Sequence, residues 1–353
     1  MNQPQTLGLP PALRVLPDMT SHWRDVDEDF DTAATRLVEA HAKDGDARDL
    51  PIPDLRTWGV IAQNARFALA PLARHHDPLP LRSTGLSGLL SRLGAPVEFV
   101  RDRLPAPLQL ATVNYLMADQ RVAPGVLRLR GDEVTAVMSE RYAAFDVERL
   151  VETVREALVS HGAVAEVRVR AVASGPVDAL RLTFPSEAVA VKPGDVSHVG
   201  LDISSSSFGR SAVHVRSLVW RLVCTNGLRV AERAGSFSFR HVGDPSRLRD
   251  GIGEAVPAAL THARGIVERW RGAVTVMVER VSEVIDELRD LTLQERAGVG
   301  ESLKLEAQSK ELPERTDAYT LVNAITATAR NSEPARRLEI EEVAGRVLQA
   351  HVR

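Results

Sequence analysis

Apolar residues fall at helical spacing over residues 27–42. Phe30, Ala33, Ala34, Leu37, Val38 and His41 share one face, which predicts an amphipathic helix. Residues 1–20 before it are proline-rich and aperiodic and read as an extended arm. The Asp-rich stretch 44–53 after it ends in Pro51-Ile52-Pro53, cannot continue a helix and reads as a linker. Residues 55–120 read as short helices separated by prolines. Ser83-Thr84-Gly85 leads into Leu86, Leu89, Leu90 and Leu93, with Gly94 as a stop; Pro96 opens a second helix through Arg103; residues 108–117 form a third.

From Val126 the period changes to two. Residues 126–130 and 134–138 alternate about a Gly131-Asp132 turn and predict a hairpin. Asp146 caps a predicted helix over 147–161, with Leu150, Val151, Val154 and Leu158 on one face and Gly162 ending it. Residues 164–173 alternate, with Val167, Val169 and Ala171 opposite Arg168 and Arg170. Further strands are expected at 179–184, 188–191, 199–203 and 211–223, with a turn at 192–195. Residues 220–230 read as a hairpin with a type I′ turn at Asn226-Gly227; the competing reading is a helix over 215–224 stopped by the same pair. Helical spacing returns over 248–297 and is broken at Gly298-Val299-Gly300. Two last helices follow at 318–329 and 338–351. The pattern predicts an α+β fold: a helical N-terminal region, a central antiparallel-rich sheet with an embedded helix, and a helical C-terminal region. The expected divisions are 1–53 (arm, helix and linker), 54–125 (helical subdomain), 126–247 (α+β core) and 248–353 (helical end).

Composition narrows the class. The chain has 353 residues, 44% of them apolar and 26% charged, which suits a folded protein with a sizeable core. No apolar run reaches the ~18 residues of a membrane span, and residues 1–20 lack a basic start followed by an apolar stretch, so a cytoplasmic setting is expected. Cys224 is the only cysteine, which excludes an intrachain disulfide and a cysteine-based zinc site. Lys occurs only at positions 43, 192, 304 and 310, so nearly all cations are the forked guanidinium that suits phosphates. The net charge of −3 hides alternating blocks: −5 over 1–53, +5 over 54–131, −4 over 132–200, +5 over 201–272 and −4 over 273–353. Two basic blocks folded onto one face would attract an anionic partner; otherwise the arginines are ordinary solvated surface.

No Walker sequence, dinucleotide fingerprint, nucleophile elbow or His-Glu-x-x-His motif occurs. His75-His76 beside Asp77, or His198 with Asp202 and His214, are the nearest approaches to a metal set, and Cys224 with His241 to a thiolate and base. A buried, inert Cys224 is the plainer reading. Two clusters are more specific. Ser139-Glu140-Arg141-Tyr142 followed by Phe145-Asp146 offers a phosphate fork beside a flat ring, unless Tyr142 and Phe145 are core anchors. The second cluster runs from Asp202 through Ser204–Ser207, Phe208-Gly209-Arg210, Arg216 and Arg221 beside Trp220. It suits a groove that reads a phosphate backbone, unless it is a polar loop followed by a core strand.

These clusters belong to a series of blocks that resembles the family known as domain of unknown function 932. The blocks are LLSRLGAPVEFVRDRL at 89–104, AVMSERYAAFD at 136–146, PGDVSHVGLDISSSSFG at 193–209, RLVCTNGL at 221–228 followed by Arg240-His241-Val242-Gly243, and AYTLVNAITATA at 318–329. Where members often carry Asn-Ser-Glu, this chain has Ser205-Ser206-Ser207, so no role of that acid carries over. The resemblance spans roughly residues 80–350 and implies a protein of phage or plasmid type with no settled biochemical role. The order of hairpin, helix and sheet is also similar to the core of Rad fifty-two type single-strand annealing proteins.

The expectation is a cytoplasmic, non-enzymatic homo-oligomer without cofactor or bound metal that binds single-stranded DNA and promotes annealing in DNA recombination. Arg141, Arg210, Arg216, Arg221 and Arg240 would meet phosphates and Tyr142 would stack on bases. The alternatives are a metal-dependent nuclease or hydrolase built on His198, Asp202, Cys224 and His241, and a non-catalytic structural or host-interaction protein.

Overall fold

The computed structural model of the protein describes residues 22–64, 66–73, 77–119, 123–192, 195–221, 226–229 and 235–352. A strand, β1 (His22–Asp29), leads directly into α1 (Phe30–Ala42), where the Asp29 carboxylate accepts the Thr32 amide and caps the helix. The expected apolar face of α1 is buried, from Phe30 to His41.

A smaller lobe follows. It contains β2 (Ala47–Ile52), a 3-10 turn (Leu55–Thr57), β3 (Trp58–Gln63), β4 (Arg66–Pro71), β5 (Leu79–Pro80) and α2 (Ser83–Arg92). A π-helical turn (Phe99–Arg103), α3 (Ala106–Met117), β6 (Gly125–Arg130) and β7 (Glu133–Ser139) complete it. Its strands form two antiparallel sheets, β2-β6-β7 and β3-β4-β5, around a core that includes Leu55, Phe67, Leu69, Leu89 and Leu127. The three short helices lie where they were expected. The N-terminal region as a whole, however, is strand-rich rather than helical, with β3, β4 and β5 beside the helices of the 54–125 segment. The missed strands are edges or short. β1 and β2 each end a sheet and carry charges or a proline, the devices that keep an edge from pairing further. Asn114 of α3 closes another edge: its amide donates to the Val60 carbonyl and accepts from the Val60 N–H, both at 2.8 Å.

The larger lobe contains α4 (Val147–Ser160), β8 (Arg168–Ser174), β9 (Asp178–Lys192), β10 (Asp195–Ser205), β11 (Val213–Arg221), β12 (Asn226–Arg229) and β13 (Ser236–Phe239). Its helical end comprises α5 (Pro245–Gly272), β14 (Met277–Val278), α6 (Val281–Glu287), α7 (Leu293–Glu306), β15 (Thr316–Asp317), α8 (Ala318–Thr328) and α9 (Pro334–His351). The main sheet is antiparallel in the order β1-β8-β9-β10-β11-β12, with β13 on the same edge of β11 as a further neighbour. The 126–138 hairpin, the helix after Asp146 and the last two helices stand as expected.

Four details differ. The two strands expected over 179–191 are one long strand, β9, carried past an irregularity in its pairing with β10. Arg170 sits at a bulge in β8, so the alternation is not strict. Gly298 and Gly300 lie inside α7, and the 248–297 helix is interrupted earlier, by β14. The β11–β12 hairpin exists, but Asn226 pairs with Arg221 and Gly227 with Trp220, so the pair is strand rather than turn; the reversal falls at 222–225, outside the described residues with Cys224.

The two faces of the main sheet differ in kind. One is apolar: Val199, Leu201 and Ile203 of β10 share it with Ser217, whose hydroxyl donates to Ala259 of α5 at 2.7 Å. The other carries charge. Asp202 stands opposite Arg181 on one side and Arg216 on the other. Arg181 donates to Asp202 at 3.1 Å and to Glu341 of α9 at 2.9 Å, and its guanidinium lies 4.6 Å from the Trp23 ring. Arg181, Asp202 and Glu341 are fully buried, so buried ion pairs help to dock α9 on this face, beside the apolar packing of Ile340, Ala344 and Leu348.

Candidate nucleic-acid interface

A cleft of about 670 Å³ opens where the smaller lobe meets the main sheet. One wall is α2, which contributes Thr84, Ser87, Ser91 and Arg92. The sequence permits this because Gly85 and Gly88 face β7: a Cβ on Gly85 would lie 2.3 Å from the Val134 carbonyl oxygen, and one on Gly88 3.0 Å from the Val137 nitrogen. Two glycines three apart therefore let the helix backbone rest on the strand. Gly85 belongs to the helix rather than to the turn before it.

The opposite wall comes from two loops of the larger lobe. The β10–β11 loop turns on Ser206, whose hydroxyl donates to Pro176 and accepts the amides of Phe208 and Arg210. Ser204–Ser207 are all buried, and none of them lines this cleft; the Ser204 hydroxyl accepts from Arg216, and that of Ser205 lies 3.4 Å from His241 Nε2. Gly209, at φ +69°, then turns the chain, and Arg210, Ser211 and Ala212 follow along the cleft. The second loop precedes α5. Ala143 donates its amide to His241, Gly243 donates to Arg141, and Tyr142 bridges to Val242. This pairing brings Arg240 and His241 beside Tyr142.

Beneath the cleft lies Arg128, buried and holding Asp49 at 2.8 Å together with Asp146 and the Ser207 carbonyl. Asp146 occupies the N-cap position of α4, but its carboxylate is turned to Arg128 instead of to the helix amides. Tyr142 stacks on His241 with ring centroids 5.5 Å apart, and the Arg128 guanidinium lies 5.4 Å from the tyrosine ring. Burial pushes the Tyr142 phenol up to about 12, and burial, helped by Arg128, holds the His241 imidazole below its ordinary value. Both are neutral at pH 7. Tyr142 is thus a wall of the cleft, its ring engaged by protein groups.

The six residues proposed from sequence separate. Tyr142, Arg210 and Arg240 line the cleft. Arg210 and Arg240 are exposed, and among the described residues neither guanidinium has a partner. Arg141 is exposed in the turn before Tyr142 but is not part of the lining. Arg216 is 14% exposed and lies 3.9 Å from Asp202 and 3.8 Å from Glu342, committed to acids of its own chain. The Arg221 side chain lies outside the described residues. Sequence reasoning missed Arg92 and the α2 hydroxyls; the signal was Gly85-x-x-Gly88, a small-residue pair at helical spacing. His198 and Asp202 lie on β10, with Asp202 held by Arg181, and Cys224 lies outside the described residues. Among the described residues no three His, Cys, Asp or Glu side chains come together as a metal set. His75-His76 lies outside the described residues. Among the described residues no helix is long and apolar enough to cross a membrane.

The lining has one consistent character. Three arginines, a histidine and six hydroxyls face the cleft, and no carboxylate does. Such a surface favours an anion. The model of one family matches residues 134–349. The chain belongs to the family described as domain of unknown function (DUF932). The DUF932 stretch includes both loops of the larger lobe and Tyr142, whereas the α2 wall precedes it. Neither a curated protein nor a solved structure matches the chain.

Proposed function

We propose that this DUF932 protein binds single-stranded DNA along the cleft by its phosphates and, as a cytoplasmic homo-oligomer, promotes pairing of complementary strands. The observation that carries the reading is the lining: Arg92, Arg210 and Arg240 with hydroxyl donors and no acid. Holding a strand by its phosphates needs cations and hydrogen-bond donors and no nucleophile, and it leaves bases available to pair. The cleft is open at the junction of the lobes, as an extended polymer requires. Arg141, exposed in the turn before Tyr142, adds a further cation outside the lining.

Replacing Arg210 and Arg240 together with Ala tests this. Both are exposed, so the fold should survive. Wild-type affinity for a single strand should fall with salt by about 0.7 log units per log unit of salt for each phosphate held, and the double variant should bind more weakly with a shallower slope. Unchanged affinity and slope in a folded double variant would refute the cleft as the DNA site.

A further inference from the structure

A second cavity of about 440 Å³ lies on the other side of Arg210 and Ser211, which line both spaces. Its size is within the range of small-molecule sites. Its lining differs from the cleft's in carrying carboxylates beside Arg210, His214 and Arg216. Pro176, Val177 and Leu338 give it apolar walls, with Trp23 at one side, and Glu333, Glu339 and Glu342 of α9 and its N-cap bring carboxylates. Arg216 in this cavity faces Asp202 and Glu342, which leaves Arg210, at the boundary with the cleft, as the uncommitted arginine of the lining. Glu333 and Glu339 are exposed acids; Glu339 pairs with Arg336 at 2.6 Å.

Resting on the reading of the cleft as the strand-binding site, we infer that this cavity is a base site: a single strand held at Arg210 turns one base out of the cleft and into it. An apolar-walled space with carboxylate acceptors fits a ring that carries an exocyclic amino group. Cytosine and adenine present such a donor; thymine presents a carbonyl at the same position. Arg210 would hold the phosphate at the boundary, and the glutamates would accept from the amine. The protein should therefore prefer cytosine-containing strands to thymine-containing ones.

The experiment uses the full chain and two labelled oligonucleotides of equal length, oligo-dC and oligo-dT, at one salt concentration, with fluorescence anisotropy as the readout. Wild type should bind oligo-dC more tightly by about fivefold, the low end of a specific contact to a base edge. Glu333→Ala with Glu339→Ala should abolish the preference by weakening oligo-dC alone. Val177→Trp, which fills the cavity from a loop, should abolish it too, so the result does not rest on one variant. Equal wild-type binding of the two oligonucleotides, through Arg210 and Arg240, overturns the base site and leaves the cleft reading intact. A tightening of both oligonucleotides in the acid-free variant also overturns it, since the glutamates would then only repel the strand. Binding that ignores Arg210 and Arg240 overturns the cleft reading itself.

Discussion

Gly85→Ala is the smallest change that separates α2 from β7. The added methyl carbon would stand 2.3 Å from the Val134 carbonyl oxygen, where ordinary contact begins at 3.4 Å, so the helix must retreat by about 1 Å. The obstacle is backbone and cannot swing away. The same carbonyl accepts the Arg82 amide at 3.0 Å just before the helix, so retreat strains that bond as well. Overpacking of a close contact costs about 1–3 kcal/mol, and this contact belongs near the top of that range. Against it, Ala gains about 1 kcal/mol over Gly in a helix interior. The net is a loss of about 2 kcal/mol. Gly265, exposed within α5 with nothing within 4 Å of the position a Cβ would take, supplies the control: Gly265→Ala should stabilise by up to about 1 kcal/mol. Urea denaturation with matched slopes reads both, and the two variants should lie about 3 kcal/mol apart. Because α2 carries Arg92, Gly85→Ala should also weaken DNA binding while still folded. If Gly85→Ala proves as stable as wild type, the close approach of α2 to β7 is wrong and the α2 wall of the cleft goes with it.

Glu341→Ala should cost about 3–5 kcal/mol in chemical denaturation, because it strips the buried Arg181 of one carboxylate; a loss below about 1 kcal/mol would show that α9 is not docked by this pair. Asn114→Ala removes both hydrogen bonds to Val60 and should cost about 1–2 kcal/mol, with self-association at the freed β3 edge detectable by sedimentation; a stable monomer with the wild-type midpoint would contradict the capped edge. Burial lowers the folded-state values of His198 and His241, so below the unfolded value of about 6.5 the unfolded chain takes up more protons. Stability should therefore fall as pH drops from about 7 through 6, and His198→Gln with His241→Gln should flatten that fall; an unchanged profile would mean that neither imidazole is held neutral.

Local signals in the sequence were legible wherever apolar residues kept one period over a full element. Phe30 to His41, the hairpin about Gly131 and the helices of the C-terminal end are such cases, since each buries a continuous face. β1 was not legible because its charged positions are answered far away in sequence: Asp27 meets Arg168 and Arg170 of β8, and Asp25 meets Arg337 of α9. β3 and β4 turn at Asn64, at φ +52°, followed by Ala rather than the Gly that would have marked the hairpin. The Asn226-Gly227 pair carried the stronger turn signal and still lies in a strand, where it pairs with Arg221 and Trp220 of β11.

The arginines show why half of the candidate site could be read and the other half could not. Arg210 and Arg216 lie in one basic segment, and their local surroundings give no reason to separate them. Register separates them. Arg216 falls directly opposite Asp202 on β10 and beneath Glu342 of α9, so its charge is answered inside the fold. Arg210 falls in the loop before β11, past the Ser206 turn, where no strand lies across from it. The same rule places Arg181: an arginine on the central strands is matched by an acid on a neighbour. The cations offered to the proposed strand therefore sit at strand ends and helix ends, Arg92, Arg210 and Arg240, with Arg92 also donating to the Ala123 and Pro124 carbonyls, and the cleft is where the fold brings those ends together.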